Sequence, residues 1–133
     1  MPAANTTVTR HRPATALDTT VAAGILVAFG LALAHPWARH TPLYEALYAY
    51  FPGGESSFAE VVRYVARPVM AVHALEPFVF ARFRLRRHGV EVGTRLWWRW
   101  MTSVLVEGLI AWRRFEAVLE EEETTKTESR KAL

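Results

Sequence analysis

The stretch Val69-Met70-Ala71-Val72-His73-Ala74-Leu75-Glu76-Pro77-Phe78-Val79-Phe80 decides how the chain is read, because it buries a histidine and a glutamate in an otherwise apolar run. A spacing of three brings His73 and Glu76 to one helix face. Apolar runs of similar character lie on both sides of it. The surroundings it implies are lipid or the inside of a helix bundle, where ionisable groups are costly.

The preceding run, 14–34, carries polar side chains only at Thr15, Asp18, Thr19 and Thr20. As helix it measures about 30 Å, enough for a bilayer core. Gly24, Ala28 and Ala32 form a small-residue stripe along it, a surface that another helix can approach closely. His35-Pro36-Trp37 ends it. A cleaved signal peptide is the rival reading, with Arg10 and Arg12 as the basic region and Ala32-Leu33-Ala34 as the cleavage site.

Thr41-Pro42 can start a short helix. Leu43, Ala46, Leu47, Tyr50 and Phe51 then follow helical spacing, which predicts an amphipathic interfacial helix over 41–51 that presents Leu43, Leu47 and Tyr50 to apolar groups. Ser57-Phe58-Ala59-Glu60 has capping-box spacing, so the central span is expected over 58–84. Pro68 and Pro77 are tolerable kinks in a bundled membrane helix. A basic run, Arg82, Arg84, Arg86, Arg87 and His88, leads into the third apolar segment, 95–115, which is flanked by Trp97, Trp98, Trp100 and Trp112 in the manner of an interfacial aromatic belt.

The expected fold is all-α: a membrane bundle of three transmembrane helices plus one short interfacial amphipathic helix. Residues 1–13 read as a disordered N-terminal arm, 14–119 as the transmembrane helical domain and 120–133 as a disordered charged tail.

Composition fits a multi-pass membrane protein. Of 133 residues, 51% are hydrophobic, and the net charge is +3. Arginines cluster at the ends of apolar segments, as topology determinants do, and this argues against nucleic acid as partner. The positive-inside rule puts the N-terminus and the 82–95 connection on the cytosolic side, in an intracellular membrane. The Asn5-Thr6-Thr7 sequon would then go unused. With no cysteine, disulfides, thiolate metal sites and cysteine nucleophiles are excluded.

His73, Glu76 and Glu107 are the candidate site residues, for ligand binding and, if the protein is an enzyme, for catalysis. A metal site would need a further ligand, and His35, His40 and His88 fall at or beyond the membrane surfaces, so no metal or cofactor is expected. Counting from Arg82 and Trp97 at 1.5 Å per residue, His73 lies about 14 Å deep, Glu107 about 15 Å and Glu76 about 9 Å. Matching depth predicts that His73 meets Glu107 across the helix interface, with Glu76 as its alternative partner.

The run from Arg67-Pro68 to Phe80, the basic stretch and the Trp-rich third segment resemble the transmembrane protein 254 family, fungal members above all, around VHALEPF, GTRLWWRW and VEGLIAWRRF. The resemblance covers residues 17–118. It implies a small multi-pass membrane protein of unestablished activity, with that family's histidine and glutamate at His73 and Glu76 and the fungal-type glutamate at Glu107. Pro77 departs from the pattern, since many relatives carry a small residue there.

Two functions stay open. One is a non-catalytic scaffold or accessory subunit whose intramembrane His and Glu residues pack the bundle, with membrane lipids and another membrane protein as partners. The other is a lipid- or sterol-binding protein, or an isomerase-like enzyme, that uses His73 and Glu76 as ligand or acid/base groups. No nucleophile, cofactor loop or oxyanion motif accompanies those residues.

Overall fold

The computed structural model describes residues 6–131. Every regular element among them is helical: α1 Ala16–Ala38, α2 Pro42–Tyr50, α3 Gly54–Val61, α4 Arg67–Phe80, α5 Arg95–Glu107 and α6 Leu109–Lys131. Two π-helical segments, Val62–Ala66 and Ala81–Leu85, follow α3 and α4. The chain divides into two compact units, Ala22–Ala74 and Met1–Val21 with Leu75–Leu133.

In the Ala22–Ala74 unit, α1 runs antiparallel to the chain from α3 into α4. Phe29 meets His73 edge to face at 5.4 Å, and further along α1 His35 meets Phe58 at 5.3 Å. Ala32 is the one member of the small-residue stripe in this core, which it shares with Tyr44, Phe58 and Val62. Nothing lies within 4 Å of a Cβ built on Gly24.

The helix expected over 41–51 forms as α2, with Thr41 before it and Pro42 in its first turn. Its packed face is displaced from the expected one. Tyr44, Leu47, Tyr48 and Phe51 turn inward, and the Tyr44 hydroxyl donates to the Leu31 carbonyl. Leu43 and Tyr50 are exposed. Two apolar stripes overlap on this short helix, and the aromatic one wins because rings bury more area and Tyr44 also finds a polar partner.

Helical turns run unbroken over 54–85, starting three residues before the capping box. The first π segment sits where Pro68 demands it. The proline ring would clash with the carbonyl four residues back, at Tyr64, and the wider turn moves that carbonyl away. The Arg67 N–H accordingly donates to Val62, five residues back.

The Met1–Val21 and Leu75–Leu133 unit corrects the expected third span. The segment 95–115 is not one straight helix. It breaks at Gly108, where φ 58° and ψ −128° suit glycine and strain any other residue. Helices α5 and α6 fold back on each other there, so Trp100 meets Phe115 at 5.0 Å, a pair that a straight helix would hold about 22 Å apart. Trp100 is fully buried among Phe80, Val104, Ala111 and Phe115, so it belongs to a core and not to an aromatic belt.

Within the described residues, 6–13 is docked and 120–131 is helical. Helix α6 continues through Lys131, because Glu and Lys are good helix formers whatever their solvation, and Val118 and Leu119 anchor its middle in the core. The arm is docked over 6–13, where burial of Val8 and several long-range hydrogen bonds offset the lost chain entropy. Residues 1–5 of that arm, including Asn5 of the sequon, and the last two residues of the tail lie outside the described residues.

Candidate functional site

The α5–α6 hairpin positions the polar centre of the second unit. Thr94 caps α5 by accepting from the Trp97 N–H at 3.2 Å. Four turns later the Gly108 break brings Arg114 back onto Glu107. The guanidinium pairs with the Glu107 carboxylate, both side chains being more than nine-tenths buried, and its other arm donates to the Arg12 carbonyl at 2.7 Å. An ion pair this deep is tolerable only when its remaining hydrogen-bonding capacity is used, and the Arg12 carbonyl uses part of it.

The arm completes the site. Its Val8 N–H donates to the His88 carbonyl at 3.1 Å, and His88 Nδ1–H donates to the Thr6 carbonyl at 2.9 Å. Gly89, at φ 72°, lies between these bonds, where a Cβ would come within 3.1 Å of Thr7. Further along, the His11 ring stands edge-on to Trp100 at 4.5 Å, with Nε2 2.9 Å from Ser103 Oγ. Arg10 and Arg12 then reach Glu121 at 2.6 and 3.1 Å.

His11 and Ser103 have the spacing of a nucleophile and its base, but the electrostatics run the wrong way. Burial, Arg114 and Arg99, in that order, hold the imidazole below its ordinary proton affinity. A general base must become an imidazolium as the nucleophile attacks, and a triad places a carboxylate beside it for that purpose. Here the neighbours are cations. The arrangement suits a neutral His11 that fastens the arm.

Of the sequence-derived candidates, Glu107 has its carboxylate paired with Arg114. His73 sits in the Ala22–Ala74 unit against Phe29. Glu76 follows it on α4 and is half-buried, on the other side of the division into units. Arg114, His11, Ser103 and His88 were not anticipated as site residues. Arg113-Arg114 read as a helix-end marker, and only the lone Gly108 in the apolar run signalled that Arg114 could turn back on Glu107.

An open cavity of about 750 Å³ lies beside this centre, lined by His11, Arg95, Trp98, Arg99, Ser103 and Glu107 among others. No group of three or more His, Cys, Asp or Glu residues that could hold a metal ion occurs among the described residues. No family model, curated protein or solved structure matches the chain.

Proposed function

We propose that this chain is a small integral membrane protein acting as a non-catalytic scaffold or accessory subunit, with two membrane crossings and a cytosolic helical hairpin. The carrying observation is apolar exposure. By length and composition, α1 can cross a membrane, and very little of it is buried. Val65, Val69, Val72, Leu75 and Phe78 are likewise exposed along the helix over 54–85. In water such surfaces would be an aggregation hazard, whereas lipid solvates them. The stretch 58–84 is about 40 Å of helix, long enough to cross with tilt.

Ion pairs between the arm and α6 support an even number of crossings, because Arg10 and Glu121 can meet only on one side of a bilayer. That side then carries Arg10, Arg12, Arg82, Arg84, Arg86, Arg87, Arg95, Arg99, Arg113 and Arg114, against Arg39, Arg63 and Arg67 on the other. The bias favours a cytosolic N-terminus and 82–95 connection more strongly than three crossings would. The membrane is intracellular in this reading, and the resemblance to the transmembrane protein 254 family agrees with a multi-pass protein.

The scaffold reading gains from Glu107, whose carboxylate serves the hairpin's internal packing through Arg114. Gly24 and Ala28, exposed on α1, offer a close-packing surface to a partner helix. His73 and Glu76 would, in the alternative, bind a lipid or sterol. Alkaline carbonate extraction tests the membrane reading: the full-length protein is expected to stay in the pellet, and its release would refute integration. His73→Ala/Glu76→Ala is expected to leave the co-purifying lipids unchanged, and loss of one lipid species would favour the alternative.

A further inference from the structure

The cavity beside the hairpin is electropositive on one wall and apolar on its rim. Arg95 and Arg99, one turn apart on α5, are both exposed, and neither pairs with a carboxylate among the described residues. Glu107 contributes the cavity's carboxylate, and Arg114 neutralises it. After burial, the positive field of Arg114 and Arg99 opposes protonation of His11. An anion entering the cavity would relieve that field.

An exposed stripe runs along α5 from Trp98 and Thr102, which line the cavity. Trp98 and Leu105 are 59% and 52% exposed, with Thr102 between them on the same stripe, and Leu109, 65% exposed, opens α6 just past the Gly108 break. An exposed indole beside arginines, with an exposed leucine on the same stripe, is the composition of a helix that lies in a membrane surface. The cytosolic leaflet, where the arginine bias puts this hairpin, carries the anionic lipids.

We propose that α5 lies on the cytosolic leaflet and that its cavity takes the phosphate of an anionic phospholipid headgroup, held by Arg95 and Arg99, with Trp98 and Leu105 at the acyl boundary. Guanidinium forks suit phosphate oxygens, and Ser103 and Thr102 stand beside the same opening with hydroxyls. The leaflet assignment rests on the membrane reading above, whereas the phosphate site rests on the cavity alone. Carbonate extraction therefore judges the first, and lipid retention judges the second.

The test is native mass spectrometry of the full-length protein in neutral detergent micelles doped with phosphatidic acid or phosphatidylcholine. Phosphatidic acid should be retained preferentially, and Arg95→Gln/Arg99→Gln should weaken retention about thirtyfold. Arg113→Gln, which removes one arginine charge, as Arg99→Gln does, from an exposed position outside the cavity, should leave it unchanged. If the double variant loses helicity by circular dichroism, Arg99→Gln alone reads the same site, with an expected loss of about fivefold.

Retention that is unchanged in the arginine variants, or equally reduced by Arg113→Gln, would overturn the site. Displacement of the lipid by millimolar inorganic phosphate would assign the cavity to free phosphate and overturn the lipid. A wild-type dimer that retains no phosphatidic acid and dissociates on Trp98→Asp would give this face to a second copy of the chain, and would overturn the proposal as well.

Discussion

Arg10 donates to Glu121 across 2.6 Å, although 111 residues separate them in the chain. The pair is exposed, and pairs of that kind contribute at most about 1 kcal/mol. Its importance is topological. Together with Arg12 on Glu121 and Arg114 on the Arg12 carbonyl, it ties the two ends of the chain to one helical hairpin.

Gly108→Ala should destabilise the hairpin by about 1–3 kcal/mol, because alanine cannot adopt the glycine's backbone angles without strain. Denaturant titration followed by near-UV circular dichroism, which reports the packed Trp100, reads the change. An unaltered midpoint would mean that 95–115 tolerates a continuous helix.

Glu107→Ala leaves the Arg114 guanidinium buried without its carboxylate, a loss expected to cost about 3–5 kcal/mol. Glu107→Leu/Arg114→Leu should cost clearly less than the sum of the two single leucine variants, since each single change strands one charge. The double variant should still free the arm at Arg12, because the bond to that carbonyl goes with Arg114. Additive costs in a double-mutant cycle would contradict a coupled pair.

Docking of the arm should weaken as pH falls through about 6.5, the ordinary histidine value. The sign follows from His11, whose proton affinity is lowered in the folded state. Below that pH the released arm binds the proton more readily than the docked one, so docking loses stability on acidification. Hydrogen exchange at the Val8 amide, which donates to the His88 carbonyl, should quicken there in the wild type. His11→Gln should remove the part of the pH dependence due to His11, and an unchanged profile in that variant would place the titration elsewhere.

Periodicity and apolar length made α1, α2 and the central helix legible in the sequence, since each signal is local. The hairpin was less legible. One glycine in a mostly apolar run is a weak signal against a continuous helix, and Gly108 matters only because it has a positive φ. Depth counting paired Glu107 with His73 on the assumption of a straight third helix. Once the chain turns at Gly108, the nearest cation is Arg114, seven residues on. The arm's contacts with His88, Ser103, Arg114 and Glu121 span so much sequence that no periodicity encodes them.

The proposed even number of crossings puts the arm and the C-terminal helix on the same side of the membrane. The chain has no cysteine, so single-cysteine variants report accessibility without background. In sealed vesicles labelled with a membrane-impermeant maleimide, Thr9→Cys and Ser129→Cys should react from the cytosolic side and Ser56→Cys from the opposite side. Ser129→Cys reacting from the side opposite to Thr9→Cys would restore three crossings and contradict the account.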